Sequence, residues 1–370
     1  MGLASLDLVD FRSFPAAQFS PDPDGTTVLL APNGTGKTSI LEAIGYLSTA
    51  RSFRGAPREV MIRNGADDAY VRATIRRADA DVLIESQLSR HGRSRIQVNR
   101  QPAKTRRDLA DAVAVTTFAP EDVSVVRGAP ALRRDVLDDA LLLLEPTAGH
   151  LLEDTARVLR QRGALLRQLH GRLAPTDATT LDVWDERLAE LGDELASRRD
   201  ELTVSLAPRV AGLYRALAGE AVDVTARYTR SWAGSLADAL AAARSDDVRR
   251  GVSTVGPHRD DVVLTVEGRD ARAQASQGEQ RSLALAIRIA VHVAATDARG
   301  EPPLLLLDDV FSELDLGRSA RLLELLPRGQ TLLTTAIPPP AGLADADLVD
   351  VRKLHRVSFA VSHPLPRLVE

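Results

Sequence analysis

The sequence predicts an α/β protein whose mixed sheet is assembled from both ends of the chain, with a mostly helical arm domain inserted between them. Three observations lead to this prediction. A short apolar strand runs into a glycine-rich loop near the N-terminus, residues from about 128 to 248 have helical spacing with almost no strand signal, and strands alternate with a helix again after Gly251. We therefore expect an N-terminal half of a head at 1–125, a helical arm at 126–250 and a C-terminal half of the head at 251–370.

The composition fits a folded protein with more than one core. A chain of 370 residues exceeds the usual size of a single domain, and 44% of its residues are apolar. The absence of cysteine excludes disulfides and thiolate metal sites. Because no apolar run approaches the length of about 18 residues that a spanning helix needs, and the N-terminus lacks a signal-peptide pattern, we expect a cytoplasmic protein with no membrane partner.

The N-terminal half reads as mostly β-structure around one helix. Alternating or short apolar runs predict strands, and helical spacing follows the glycine-rich loop. The predicted strands are Leu3–Val9, Thr27–Leu30, Ala69–Ile75, Asp81–Leu88 and Arg95–Val98, and the predicted helix is Thr38–Ser48. The later strands should form an antiparallel meander.

Apolar spacing also predicts the elements of the arm and of the C-terminal half. Apolar spacing predicts one arm helix over about 151–169 and another over about 181–202, separated by a loop at Pro175. No heptad seam persists, so the arm should be compact rather than an extended coiled coil. The remaining elements are strands at Asp261–Val266, Leu304–Leu307 and Thr331–Thr334, and a helix from Ser276 to about Asp297.

A phosphate-binding loop is the first candidate functional element. It consists of Ala31, Pro32, Asn33, Gly34, Thr35, Gly36, Lys37 and Thr38, between a strand and a helix. Backbone N–H groups and the helix dipole would bind the phosphates of ATP, with Lys37 contacting them and the Thr38 hydroxyl ligating Mg²⁺. Of 47 basic residues only three are lysines, so a lysine after Gly36 is informative, whereas Ala31 departs from the glycine of the usual pattern.

Two carboxylates follow the buried strand Leu304–Leu307. Asp308 would hold Mg²⁺, directly or through water, and Asp309 would orient or deprotonate the attacking water. Because related ATPases often use the longer glutamate at the second position, we expect slow hydrolysis.

A third element is a signature at Ser276-Gln277-Gly278-Glu279-Gln280, about thirty residues before the carboxylates. Ser276 and Gly278 lie at a helix start suited to an anion, and Ser276 with Glu279 also has the spacing of a capping box. Both roles are compatible. A signature of this kind usually completes the nucleotide site of a second molecule, which predicts an ATP-dependent homodimer, with Asp315 in a loop that contacts the partner.

Two polar segments have less certain roles. An acid-free basic segment at 86–107 carries Arg90, Arg93, Arg95, Arg100, Lys104, Arg106 and Arg107. It could bind DNA despite the net charge of −4, or it could be a solvated hairpin, in which case the arm around 157–172 is the other candidate. The turn at 256–261, which includes His258 and Arg259, is either a structural turn or a contact to DNA or between head and arm.

These motifs together resemble the RecF family of bacterial recombination mediators over nearly the whole chain. The matching segments are Asp10–Phe14, Pro32–Thr38, Gly45–Arg54, Arg133-Arg134, Leu181–Asp185, Gly256–Asp261, the signature, and Asp308–Asp315. The resemblance implies an ABC-type ATPase head related to SMC proteins, without their long coiled coil. It also implies that ATP drives dimerisation, that DNA binds at single-strand gaps or double-strand/single-strand junctions, and that RecO and RecR help to load RecA before hydrolysis opens the dimer.

Other functions remain possible at this point. A transporter ATPase subunit would usually carry a glutamine near 118–122, where this chain has none. An SMC-like structural ATPase would need a long coiled arm, and a head that binds only proteins would hydrolyse ATP independently of DNA. Because no histidine follows the strand at Thr331–Thr334, where transporter-type heads carry a switch residue, Thr334 or Thr335 is a hypothetical substitute for it.

Overall fold

The computed structural model describes residues 1–338, 340–343 and 345–354. The end of the predicted C-terminal segment, 355–370, lies outside the described residues. The chain divides into two compact units. Unit 1 contains Met1–Asp122, Arg215–Glu220 and the chain from Leu285 onward, and unit 2 contains Val123–Tyr214 and Ala221–Ala284.

Fourteen strands lie within the described residues. In chain order they are β1 (Gly2–Phe11), β2 (Phe14–Phe19), β3 (Thr26–Leu30), β4 (Asp68–Arg76), β5 (Val82–Ser89), β6 (Arg95–Val98), β7 (Gln101–Pro102), β8 (Val115–Phe118), β9 (Val224–Thr229), β10 (Asp261–Val266), β11 (Arg269–Asp270), β12 (Leu304–Leu307), β13 (Thr331–Thr335) and β14 (Asp347–Asp350).

The described chain also forms twelve α-helices. They are α1 (Lys37–Thr49), α2 (Arg58–Met61), α3 (Arg106–Ala112), α4 (Val123–Arg127), α5 (Pro130–Leu144), α6 (Ala148–Gln168), α7 (Pro175–Ala218), α8 (Leu236–Arg250), α9 (Ala271–Gln274), α10 (Gln277–Arg299), α11 (Leu316–Leu325) and α12 (Val351–Leu354). None of these helices combines the length and the apolar character needed to cross a membrane.

Unit 1 is built on two sheets. One is antiparallel with the order β2-β1-β4-β5-β6-β7, and the other is parallel with the order β14-β3-β13-β12-β8. All four leucines of β12 are buried, as expected for a strand in a parallel sheet. Because β3, β13 and β12 are parallel neighbours, their carboxyl ends meet at one edge of the sheet. The phosphate loop after β3 and the two aspartates after β12 therefore share that edge.

Unit 2 combines the arm helices with a small antiparallel sheet, β11-β10-β9. A satellite core of Leu166, Leu169, Leu181 and Val248 joins α6, α7 and α8. On the same side of α6, one turn before Leu166, the fully buried Arg162 donates to Asp185 at 2.6 Å, to Asp247 at 2.8 Å and to the Ser253 hydroxyl at 2.7 Å. Apolar packing and a buried ionic network thus both fix α6 in place.

The structure corrects the sequence predictions in the arm. The region 128–248 is mostly helical, as expected, but it contains one strand that the sequence analysis missed, β9, which pairs with β10 along its full length. This pairing also explains why unit 2 continues to Ala284 rather than ending at 250. Pro175 does not form a loop but begins α7, where its missing N–H costs nothing. The strands β2 and β8 were also missed.

Candidate nucleotide-binding site

The phosphate loop has the backbone conformation that its glycines allow. Gly34 has a φ of 80° and Gly36 a φ of 96°, both in the left-handed region. A Cβ on Gly36 would lie 2.8 Å from the Phe14 ring. Ala31 is not among the residues with positive φ and is buried, so the missing glycine at this position introduces no backbone conflict.

Lys37 points back into its own loop. Its Nζ donates to the Ala31 carbonyl at 2.6 Å, to the Pro32 carbonyl at 3.1 Å and to Asn33 Oδ1 at 3.3 Å. Burial lowers the pKa of Lys37, and the charges of Asp309 and Asp308 oppose that shift. The ammonium is therefore held inside the cradle where phosphate oxygens would bind.

Asp308 and Thr38 meet as the sequence predicted. The Thr38 hydroxyl lies 2.9 Å from both carboxylate oxygens of Asp308. Burial raises the pKa of Asp308, while hydrogen bonds from Thr334 and Thr38 lower it. A hydroxyl and a carboxylate are hard oxygen donors of the kind that Mg²⁺ prefers, so this pair fits a magnesium ion that takes its other ligands from phosphate and water.

Asp309 is held in an unusual conformation beside this pair. Its φ of 48° is left-handed, and its Oδ1 is buried without a hydrogen-bond partner in the described part of the chain. Its backbone N–H donates at 2.8 Å to the Thr334 hydroxyl, which itself donates at 2.6 Å to Asp308. One buried hydroxyl thus orients both acidic residues.

The structure separates the two threonines proposed as substitutes for a switch histidine. Thr334 bridges Asp308 and Asp309, as described above. The Thr335 hydroxyl instead donates to the Ile337 carbonyl at 2.9 Å and accepts from the Ile337 N–H, which closes the turn after β13. Of these two residues, only Thr334 contacts the acidic pair.

A cavity of about 710 Å³ opens over the loop. Beside Lys37, Thr38 and Asp309, its lining includes Arg12, Ser13 and Arg54, which belong to segments that resemble the RecF family but had been given no role. It also includes four residues that the sequence analysis had not named: Glu59, Val60, Ile62 and Asn64. The fully buried Glu42 accepts from Arg12 at 2.5 and 2.6 Å and also from the Ser52 hydroxyl. The position of Glu42 on α1, one turn after the phosphate loop, was the available signal for this ion pair.

The basic segment at 86–107 does not form one cluster. Arg90 lines the nucleotide cavity, and its Nε donates to the Ala66 carbonyl at 3.2 Å. Arg93 and Arg100 are exposed at opposite ends of β6, and Arg95 lies on that strand. Lys104, Arg106 and Arg107 belong to the start of α3, where Arg107 pairs with Asp111 at 3.4 Å.

The signature forms the predicted capping box. The Ser276 hydroxyl accepts from the Glu279 N–H at 3.3 Å, and the Glu279 carboxylate accepts from the Ser276 N–H at 2.7 Å. Ser276 is exposed and Gly278 is half-buried. Asp315 is also exposed and caps α11, and the hydrogen bond from the Arg318 N–H is the main cause of its lowered pKa. The side chains of Ser276 and Asp315 are therefore both accessible to solvent.

The turn at 256–261 is a junction of internal bonds in unit 2. Asp260 is buried and accepts from the Tyr228 hydroxyl and from the Ser231 N–H. Arg133 forms a bidentate ion pair with Asp261 at 2.7 and 3.0 Å. Five further side chains bond to the turn or from it: Arg199 to the Pro257 carbonyl, Arg134 to the Asp260 carbonyl, Ser231 to the Gly256 carbonyl, and His258 and Arg259 to the Ser253 carbonyl. These contacts support the first of the two roles considered for this segment, that of a structural turn.

Comparisons with known proteins give a consistent result. The profile of the RecF/RecN/SMC N-terminal domain matches residues 2–337. The DNA replication and repair protein RecF of Frankia alni is 42% identical over 91% of this chain and 94% of its own length, and that of Kineococcus radiotolerans is 38% identical over 93% and 95%.

Solved structures agree with these relatives. A structure of the recombination mediator protein RecF with ATP in the RecFOR pathway covers 91% of this chain and 92% of that chain, with a TM-score of 0.83 and 26% identity. An SMC head bound to the winged-helix domain of ScpA shares the fold, with a TM-score of 0.55 and 15% identity. The mixed α/β head of the ABC and SMC type, expected from the sequence, is confirmed.

Proposed function

This chain belongs to the RecF family of DNA replication and repair proteins, and from that premise we propose that it is an ATP-gated DNA-binding protein that dimerises when it binds ATP. The single observation that carries the proposal is the meeting of Lys37, Thr38 and Asp308 at one edge of the parallel sheet. A solved family member described with ATP supports the choice of nucleotide.

ATP would bind across the phosphate loop. The amides of residues 33–38 would surround its phosphates, and Lys37 would transfer its contacts from loop carbonyls to phosphate oxygens. Thr38 and Asp308 would hold Mg²⁺, which neutralises charge that develops on the phosphates. Asp309 lines the cavity, and its buried Oδ1 has no hydrogen-bond partner in the described chain, so its carboxylate is not committed to another group and suits the role of accepting a proton from the attacking water. We expect hydrolysis to be slow.

The signature supports a homodimer. Ser276 and Gly278 begin a helix of more than twenty residues whose N-terminus is exposed, and such an end attracts an anion. We propose that they complete the ATP site of the second copy, and that Asp315 links the two sites. Ser276→Arg should therefore abolish ATP-dependent dimers in light scattering while ATP binding persists. Dimers of this variant with ATP would refute the role in the partner's site.

DNA is the second ligand of the proposal. We propose that Arg93, Arg95, Arg100, Lys104, Arg106 and Arg107 contact phosphates at single-strand gaps or double-strand/single-strand junctions, and that Arg90 belongs to the nucleotide side. The RecFOR pathway named for a solved relative supports RecO and RecR as partners. We propose that the chain acts with them in the cytoplasm to load RecA. An SMC-like structural role or a protein-only regulatory ATPase are the alternatives, and DNA-independent turnover would favour the latter.

The deciding experiment compares binding to a gapped duplex with ATP–Mg²⁺ and with ADP–Mg²⁺ at one fixed salt concentration. Tight binding only with ATP is the expected result, because the dimer should close only around the γ-phosphate. Lys37→Arg is the matched variant, since a planar guanidinium does not fit the cradle that holds the lysine ammonium. Equal binding with both nucleotides, or wild-type turnover by the variant, would contradict the proposal.

A further inference from the structure

A second acid-free basic stretch lies in unit 2. Residues 155–176 contain five arginines and one histidine but neither aspartate nor glutamate. Most of this stretch is the second half of α6, whose buried positions 155, 158, 162 and 166 occupy one side. The exposed side and the turn after it form a surface that we call the arm face, which consists of Arg157, Arg160, Gln161, Arg167, Gln168 and Arg172.

Three arginines of the arm face have no counter-ion. Within the described chain, the side chains of Arg160, Arg167 and Arg172 make no ion pair, whereas Arg157 pairs with Asp154. The end of α8 lies here too, because Gly251 lies against the backbone of Arg167 and follows Arg249 and Arg250 directly. These two arginines share the single carboxylate of Asp246, so α8 adds one net positive charge. Unpaired arginines at this density create a local positive potential that the net charge of the chain conceals.

The helix that carries the arm face is rigidly mounted. Arg162, on the buried side of the same helix, donates to Asp185, Asp247 and Ser253. Leu166 is fully buried in the satellite core one turn later. Because ionic and apolar contacts both fix α6, the exposed arginines are presented from a fixed backbone, and binding would order only their side chains.

We propose that the arm face binds the sugar–phosphate backbone of duplex DNA. Seven residues of helix separate Arg160 from Arg167, which places their Cα atoms about 10 Å apart, close to three base-pair steps of one strand. The Arg167 guanidinium lies over Gly163, 3.5 Å from the position a Cβ would take, so its charge stays close to the helix surface between the two arginines. This inference rests on the proposed DNA-binding function and assigns it a surface on the arm.

The composition of the arm face favours duplex over single-stranded DNA. Proteins that hold single strands stack bases on aromatic side chains. No phenylalanine, tyrosine or tryptophan occurs in 155–176 or in 244–251. The face therefore offers charge but no stacking platform, so it suits the regular phosphate rows of a double helix.

The test measures the salt dependence of DNA binding by the full-length protein with ATP–Mg²⁺. Arg160→Gln, Arg167→Gln and Arg172→Gln are combined in one variant, and the ligands are a blunt duplex and a single strand of equal length. Each phosphate contact contributes about −0.9 to the logarithmic salt slope on duplex. The variant should therefore have a duplex slope that is smaller in magnitude by about 2 to 3, with little change on the single strand.

A matched control carries Arg187→Gln, Arg209→Gln and Arg227→Gln, which remove the same charge from exposed positions elsewhere in unit 2. Its duplex slope should equal that of the wild type. If the wild type binds duplex and the arm-face variant keeps the full slope, the inference is overturned while the proposed function stands, and an acidic protein becomes the better occupant. An equal loss on both DNAs overturns the duplex preference. If the wild type binds neither DNA, both the inference and the proposed function fail.

Discussion

The nucleotide site in unit 1, with Lys37, Asp308 and Asp309, and the polar turn at 256–261 in unit 2 both bring charged side chains together, but their polar groups are used differently. In the turn, the Asp260 carboxylate accepts hydrogen bonds from Tyr228 and Ser231. The Asp261 carboxylate accepts from Arg133. At the loop, Lys37 contacts only oxygens of its own loop. Asp309 Oδ1 has no partner among the described residues.

This difference teaches how to interpret a conspicuous polar motif. When its charges are satisfied by neighbouring elements, the motif stabilises the fold, since breaking one partner leaves a buried group unpaired. When its charged groups lie beside an open cavity and bond only to their own loop or lack a partner among the described residues, they are available to a ligand. The following four variants test that distinction, in order of decreasing expected effect.

Asp309→Asn should give the largest change. Asparagine tolerates the left-handed backbone as well as aspartate does, but it removes the carboxylate that would accept a proton. We expect turnover to fall by about 100-fold or more, with ATP affinity and the unfolding midpoint almost unchanged. Phosphate release measures the rate, and a fluorescent ATP analogue measures the affinity. Turnover within a few-fold of the wild type would show that another group activates the water.

Asp260→Ala should lower the stability of the fold without changing the affinity for ATP, the opposite of the effect expected for Asp309→Asn. The buried Tyr228 hydroxyl and the Ser231 N–H would lose their acceptor, which should cost about 2–4 kcal/mol in the free energy of unfolding. Urea unfolding measures this loss, and ATP binding below the transition serves as the control. Weakened ATP binding with an unchanged free energy of unfolding would mean that the turn has a functional role. That result would contradict the distinction between the turn and the phosphate loop.

Thr334→Val tests a residue that is structural and functional at once. Valine keeps the shape of the side chain but removes the hydroxyl shared by Asp308 and the Asp309 N–H. We expect turnover to fall about tenfold, equivalent to about 1.4 kcal/mol, because both acids lose their orientation. Thr334→Ser, which retains the hydroxyl, should restore most of the rate. Equal defects in the two variants would indicate a packing effect instead.

His292 tests the limit of the comparison, because its side chain is buried and does not line the cavity over the phosphate loop. Both of its ring nitrogens lack partners in the described chain, and burial lowers its pKa to about 4. The unfolded chain therefore takes up a proton below pH 6.5 that the folded protein refuses, so stability should decline as the pH falls from 6.5 towards 4. Between pH 7.5 and 5.5 the loss should be about 1 kcal/mol.

His292→Leu should flatten this part of the pH profile in urea unfolding, without altering ATP binding. A profile parallel to that of the wild type would contradict the assignment. If the flattening occurs, an unpaired polar group marks a binding site only where a ligand can reach it.

Much of the fold was accessible from the sequence because local patterns decided it. The strand Asp261–Val266 and the strand Leu304–Leu307 were predicted to the residue, and helix α1 to within one residue at each end. The alternation of a half-buried strand and the continuous leucines of a buried one are strong local signals. The capping box at Ser276 was predicted for the same reason.

What the sequence left open depends on distant partners. The strand β9 carries an arginine and two threonines, and it becomes a strand through pairing with β10, more than thirty residues later. The contact of Arg12 with Glu42, and of Thr334 with Asp308, joins residues that no local spacing relates. Likewise, seven basic residues in one segment suggested one patch, but they are distributed over the turn after β5, the strand β6, the turn after it and the start of α3.

The left-handed backbone at Asp309 also constrains how this enzyme can evolve. Aspartate and asparagine are the non-glycine residues that most readily accept positive φ, and a longer side chain adds about 1–2 kcal/mol of local strain. Replacing Asp309 by the glutamate that related ATPases use at this position would therefore add strain to the backbone. Under the role proposed for Asp309, a glutamate here would be accommodated best by a different turn after β12, so the backbone of one residue would limit which acid can serve in the site.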